Sequence, residues 1–254
     1  MTTFKALVLR EEERGETSKS ICVLTEELGL IYIYIRGGMK SKKSGSATQA
    51  FSYSTLCVDE KKNAKGQVSY YLNSSEPVKL FYNIRLDAKK LALAYYFSEL
   101  LQFAATENST NREENRALMR LTLNTLYFLD KGEHDMELLR SVFELRLICE
   151  TGFMPKLIGC SSCFKYEDDI MHFNFLTNDL QCRSCCLNPD SIHDFKMNRS
   201  LLYTVRYIAL SELEKLFSFR ISERCQRQLT EFCEKLIVYD LKTRFVSLEY
   251  YKRM

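Results

Sequence analysis

Leu30-Ile31-Tyr32-Ile33-Tyr34-Ile35 decides how the first third of the chain folds. The run alternates aliphatic and aromatic side chains and is rich in the β-branched and ring residues that suit a pleated surface. In a strand, Ile31, Ile33 and Ile35 share one face and Tyr32 and Tyr34 the other. Only one of these faces can be a core, and the run alone leaves both assignments open. Working outward, Phe4–Arg10 and Ser20–Glu26 precede it as strand candidates, and Gln49–Asp59 and Gln67–Asn73 follow. Gly15, Gly29, Gly37-Gly38, Gly45 and Gly66 punctuate the turns. Five short strands in under eighty residues predict a small closed barrel, for which the five-stranded OB-fold is the commonest answer.

Near Pro77 the pattern changes from period two to helical spacing. Leu86–Ala105, Arg112–Asp130 and Met136–Glu150 read as helices, the last with Leu138, Val142, Leu145 and Cys149 on one stripe. Asn111 and Glu114 suggest a capping box, and Gly132 and Gly152 mark helix ends. Asn198–Leu210 and Ser222–Leu241 repeat the helical pattern. The expected class is α+β: a barrel over 1–78, a helical domain in two parts, 79–154 and 193–254, and an insertion over 155–192.

That insertion holds Gly159-Cys160-Ser161-Ser162-Cys163 and Gln181-Cys182-Arg183-Ser184-Cys185-Cys186. Two C-x2-C pairs about twenty residues apart can place four thiolates around one zinc ion. The expected ligands are Cys160, Cys163, Cys182 and Cys185, with Cys186 able to replace Cys185, and His172 and His193 as outside options. Four thiolates leave no position for water, so the zinc would be structural. The remaining cysteines, Cys22, Cys57, Cys149, Cys225 and Cys233, lie in apolar segments and read as small buried hydrophobes.

No apolar run approaches the ~20 residues of a membrane span, and Met1-Thr2-Thr3-Phe4-Lys5 does not read as a signal peptide. A cytoplasmic, nucleoid-associated protein without a membrane partner is expected. Residues 1–80 carry twelve Lys or Arg against nine Asp or Glu, while the rest of the chain is balanced at 24 each, so all the net charge of +3 lies in the first third. Arg36, Lys40, Lys42 and Lys43 concentrate it in a glycine-bearing loop after the Tyr32/Tyr34 strand. A cationic loop beside exposed rings can hold phosphates and stack bases; the alternative is a solvated charge run beside tyrosines packed under another module. No catalytic motif competes: a G-x-S-x-G, a P-loop and a dinucleotide fingerprint are all absent. His134, His172 and His193 have no triad-like neighbours, and Asp168-Asp169 reads as an acidic turn. No enzyme is expected.

In order along the chain, Lys5-Ala6-Leu7-Val8-Leu9-Arg10, Gly15-Glu16-Thr17-Ser18-Lys19, Leu24-Thr25-Glu26-Glu27-Leu28-Gly29, Arg36-Gly37-Gly38 with trailing lysines, Phe143-Glu144-Leu145-Arg146-Leu147 and Gly152-Phe153-Met154-Pro155 resemble the RecO family of bacterial recombination-repair proteins. The resemblance implies an N-terminal OB-fold, a helical body and an inserted zinc module. It implies a recombination mediator that binds single- and double-stranded DNA, anneals complementary strands and, with RecR, helps load RecA onto DNA coated by single-strand binding protein, with RecF and RecA as indirect partners. By position it adds Arg14 and Lys19 to Arg36, Lys40, Lys42 and Lys43 as DNA contacts. It also implies docking of the acidic C-terminal tail of single-strand binding protein (SSB) on the helical body, with Arg140 or Arg146 beside Phe143 as the cation for its carboxylate. Many relatives carry paired glycines before the third cysteine; here the stretch is Thr177-Asn178-Asp179-Leu180-Gln181, which puts the turn geometry there in doubt. The rival to the mediator is a zinc-stapled protein-interaction adaptor that does not touch DNA.

Overall fold

A computed structural model describes residues 1–14, 18–37, 45–107 and 109–254. The chain divides into two compact units, 1–133 with 245–254, and 134–244.

In the first unit, β1 (Thr2–Glu13), β2 (Ser18–Thr25), β3 (Gly29–Arg36), β4 (Ser52–Lys62) and β5 (Val68–Leu80) close into a barrel in the order β1-β2-β3-β5-β4. The neighbours are antiparallel except β3 and β5, which close the barrel in parallel through Ile33↔Tyr70 and Tyr34↔Tyr71. The isoleucine face is the core: Ile31, Ile33 and Ile35 pack with Phe4, Ala6, Val8, Ile21, Val23, Leu56, Val58, Tyr70 and Leu72. This settles which face of the deciding run points inward, and it sends Tyr32 and Tyr34 outward. Leu7 and Leu9, of the opposite parity to Val8, are buried as well, because α2 (Ala88–Ala104) lies against β1 and takes up the outer side.

Two expectations need correction here. The change of pattern at Pro77 does not end the sheet: β5 runs through it to Leu80. Proline is tolerated because β5 pairs with β3 only at Tyr70 and Tyr71, and because the β4 ladder slips between Tyr53 and Ser54, where Ser54 faces Pro77. The capping box before α3 (Arg112–Lys131) is half made. The Asn111 side chain accepts the Glu114 amide at 3.4 Å, but Glu114 takes the Asn111 side-chain NH2 at 3.1 Å and leaves the backbone N–H to Ser109 Oγ. Gly132 does close α3, at φ 71°. Short helices α1 (Tyr82–Leu86) and α7 (Val246–Lys252), unmarked in the sequence pattern, complete the unit.

Gly29, at the start of β3, lies close against α3 and the segment before it. Its φ is +62°, and a Cβ there would lie 3.0 Å from Asn115 Oδ1 and from Ser109 Cβ, and 3.1 Å from Thr106 O.

The second unit contains α4 (Met136–Glu150), β6 (Lys156–Cys160), β7 (Ile170–Asn174), β8 (Asp179–Cys182), β9 (Asp194–Asn198), α5 (Arg199–Leu210) and α6 (Glu223–Leu241). The helices match the periodicity closely. The four strands, in the order β6-β8-β7-β9, were invisible to it. They are four or five residues each, and their pairing is set by contacts between distant segments. Arg206 of α5 joins helix to sheet, donating to Leu157 O at 2.7 Å, Ile158 O at 3.0 Å and Tyr166 O at 2.6 Å.

Candidate metal centre and nucleic-acid interface

The first C-x2-C turn leaves the end of β6. Cys160 N–H donates to Lys165 O and Phe164 N–H to Cys160 O, both at 2.9 Å, with Phe164 in the left-handed region at φ 61°. Gly159 makes room for this turn: a Cβ there would lie 3.0 Å from Lys165 O and 3.1 Å from Phe164 O. The second turn leaves β8, where Cys185 N–H and Cys186 N–H both donate to Cys182 O at 3.0 Å. Ser161 N–H donates to Leu180 O at 2.7 Å and holds the two turns together. Asn178 resolves the turn that lacks paired glycines. It takes φ 55° itself, and its N–H donates to Asn174 O at 2.8 Å, a conformation asparagine tolerates better than most residues.

The outcome is a convergent set. One sulfur each from Cys160, Cys163, Cys182 and Cys185 lies within 4.8 Å of the others, and Cys163 Sγ and Cys182 Sγ are 3.6 Å apart. Sulfurs at the corners of a tetrahedral zinc site are about 3.8 Å apart, so the group can hold one metal ion with small adjustments. Its electrostatics point the same way. Burial raises the Cys160 thiol, but backbone groups of Cys182, Cys163 and Ser162 turned on the sulfur bring it down to about 6. Cys185 is pushed up to about 12, chiefly by Cys182 and Cys163. Four neighbouring thiols cannot all ionise together without a cation among them.

On the barrel, Tyr34 is 37% exposed and its ring is 5.6 Å from that of Tyr71, tilted by 33°. The Arg36 guanidinium sits 4.7 Å from the Tyr71 ring centre and Lys61 Nζ 5.3 Å from it. Tyr71 and Lys61 were missed in the sequence. Their signal was Tyr70-Tyr71 in the fifth strand, of which only one ring can face the core, and Lys61-Lys62 at the end of the fourth.

The other expected DNA residues fare differently. Tyr32 is half-buried, and its hydroxyl is pushed up to about 12 by burial and by Cys22 and Glu107 nearby. Lys19 is 9% exposed and bound to Glu11 at 2.9 Å, and Glu11 also accepts the Ala50 amide. That lysine, expected as a DNA contact, sits here in an ion pair of the barrel. Arg14 donates to Glu12 Oε2 at 3.1 Å and to Ser20 Oγ at 3.3 Å, with its side chain about half exposed. Lys40, Lys42 and Lys43 lie outside the described residues.

Arg140 and Arg146, the expected tail-binding cations, both lie in ion pairs within the fold. Arg140 is 1% exposed and binds Glu137 at 2.6 Å, Glu144 at 3.2 Å and Glu234 at 2.6 Å. Burial opposes its charge, but those three carboxylates hold it more firmly ionised than usual. Arg146 binds Glu150 at 2.6 Å and caps α5, donating to Ile208 O, Ala209 O and Ser211 O. Both guanidiniums are committed within the fold.

Two family models match the chain, recombination protein O N terminal over residues 1–81 and recombination protein O C terminal over 85–249. Among curated proteins it is similar to the DNA repair protein RecO of Alkaliphilus metalliredigens, 29% identical with 98% of each chain covered. It is likewise similar to the RecO of Acetivibrio thermocellus, 27% identical over 98% of this chain and 95% of that one. The RecO of Dehalococcoides mccartyi is 30% identical over 71% of this chain and 68% of its own. No helix among the described residues is long and apolar enough to cross a membrane.

Proposed function

The chain belongs to the recombination protein O family, and on that premise we propose that it is a recombination mediator of DNA repair, not an enzyme. It binds single- and double-stranded DNA, anneals complementary strands and, with RecR, assists the loading of RecA onto strands coated by SSB. RecF is an indirect partner, and the setting is the cytoplasm at the nucleoid.

The observation that carries the reading is the cluster of Tyr34, Tyr71, Arg36 and Lys61 on the outer face of the barrel. Annealing makes and breaks no covalent bond. It needs less repulsion between two phosphate chains and a longer encounter. Arg36 and Lys61 serve the first need; the two rings serve the second, because every base has a face that can stack. Lys40, Lys42 and Lys43 follow Arg36 in the same stretch of sequence and add three positive charges to it. The barrel that β5 completes at Leu80 is the DNA-binding module in this account.

We assign zinc to the four-cysteine centre within 155–192. An all-thiolate tetrahedral set suits zinc and leaves no open position, so the ion staples the module and does no chemistry. The acidic tail of SSB is a further partner on this reading.

Salt dependence tests the DNA reading. With roughly five phosphates neutralised, affinity for a single strand falls on the order of 10²–10³-fold between 50 and 200 mM salt. A flat response would favour the adaptor that does not touch DNA.

A further inference from the structure

Cys185 and Cys186 are neighbours in the chain, yet their sulfurs belong to different groups. Cys185 joins the four-cysteine set, whereas Cys186 falls in with His172 and Asp194, and one donor atom from each of these three lies within 4.8 Å of the others. His172 Nδ1 is 2.7 Å from Asp194 Oδ2, and Cys186 Sγ is 4.0 Å from the other oxygen, Oδ1. The side chains of His172 and Asp194 are 5% and 4% exposed. Cys186 is half-buried. β7 supplies the histidine, the first residue of β9 supplies the aspartate, and the turn after the second C-x2-C pair supplies the thiol.

A buried His–Asp pair accounts for two of these side chains. The thiol reaches the carboxylate's second oxygen only as a long S–H···O contact, so one imidazole, one thiol and one carboxylate converge on one spot. We propose that His172, Cys186 and Asp194 form a second metal site, distinct from the four-cysteine centre. The donor set chooses the ion. Magnesium and calcium prefer all-oxygen shells, whereas nitrogen, sulfur and oxygen together suit a borderline divalent ion such as zinc or cobalt. Bonds of about 2.0–2.3 Å place tetrahedral neighbours about 3.3–3.8 Å apart, so closing the set takes shifts on the order of an ångström. Binding releases the Cys186 thiol proton to solvent. Three protein ligands leave a fourth position for water or an outside donor. This ion would tie β7 and β9 to the second turn, and the first turn would be tied to it through Cys185.

The test is a titration of the metal-stripped, reduced full chain with Co2+, read by the thiolate-to-cobalt charge-transfer and d–d bands. Two equivalents should bind at micromolar protein. The first should give the four-thiolate spectrum and the second a weaker charge-transfer band. Cys186→Ser and, separately, the near-isosteric Asp194→Asn should stop at one equivalent and keep the four-thiolate spectrum, which reports that the module is still folded. Saturation of the wild type at one equivalent would overturn the proposal. So would a second equivalent retained in both variants, or loss of the four-thiolate spectrum in Cys186→Ser, which would make Cys186 a ligand of the first centre.

Discussion

Tyr34 and Tyr71 are partners across the parallel β3–β5 pairing that closes the barrel, and their rings lie 5.6 Å apart on its outer face with Arg36 and Lys61 beside Tyr71. The same register that sends Ile33 and Tyr70 into the core sends Tyr34 and Tyr71 outward. Closing the barrel and bringing these two rings together are therefore one act of strand pairing.

If these rings stack on bases, Tyr34→Ala and Tyr71→Ala each weaken single-strand binding by about 1–3 kcal/mol. Fluorescence anisotropy of a labelled oligonucleotide measures the loss. Duplex DNA, whose bases are already stacked, should lose less. Equal losses on both substrates would mean that the rings serve only to position the cations.

Arg140 should be more valuable to stability than to binding. Arg140→Ala leaves Glu144, which is fully buried, beside an empty space where its cation stood. Breaking such a pair costs about 3–5 kcal/mol, and urea melts should show it. A change under 1 kcal/mol would contradict the ion-pair account of this residue.

Asp240 gives the fold a pH dependence. Burial lifts its carboxyl to about 6, and Oδ2 has no hydrogen-bond partner among the described residues. A carboxyl with a raised folded-state pKa binds its proton more tightly folded than unfolded. Its contribution therefore improves as pH falls from about 6 toward the unfolded value near 4, and is most unfavourable above about 6. Since the group is only half buried, the cost at neutral pH is about 1 kcal/mol after allowing for solvent screening. Asp240→Asn should stabilise the protein at pH 7 and lose that advantage by pH 4.5, as denaturant midpoints at the two pH values would reveal.

Gly29 should tolerate no side chain. A left-handed φ costs an alanine about 1 kcal/mol, and the contacts near 3.0 Å at Asn115 and Ser109 add to it. Gly29→Ala is expected to lower the melting temperature by several degrees; an unchanged melt would place the helix farther from the barrel.

Much of this was legible because it rests on local periodicity. Ile31, Ile33 and Ile35 announce a strand by alternation, and the α4 and α6 stripes announce helices by spacing. The four cysteines were found because two tight turns put ligands at a fixed spacing. What escaped is what only pairing between distant segments creates. The short strands β6 to β9 carry too few residues for a period. Tyr71 comes beside Tyr34, thirty-seven positions earlier in the numbering, only through strand register. The burial of Lys19 and Arg140 escaped for the same reason: a cation in a sequence looks available until its carboxylates arrive from elsewhere in the fold.

Removing the metal tests the four-cysteine centre. Cys160→Ser should lose bound zinc and destabilise the 134–244 unit, because metal-binding energy is folding energy at such a site. Metal analysis with far-UV circular dichroism would show both. Full zinc content with an unchanged spectrum would remove Cys160 from the ligand set.

The central claim is tested most directly by the annealing rate of complementary strands coated with SSB, with and without this protein. The comparison should include an Arg36→Glu, Lys61→Glu variant and one with Lys40, Lys42 and Lys43 all changed to Glu. The account predicts acceleration by the wild type at low salt and its loss in both variants, with thermal melts unchanged. No acceleration by the wild type at low salt, or acceleration undiminished in both variants, would contradict it.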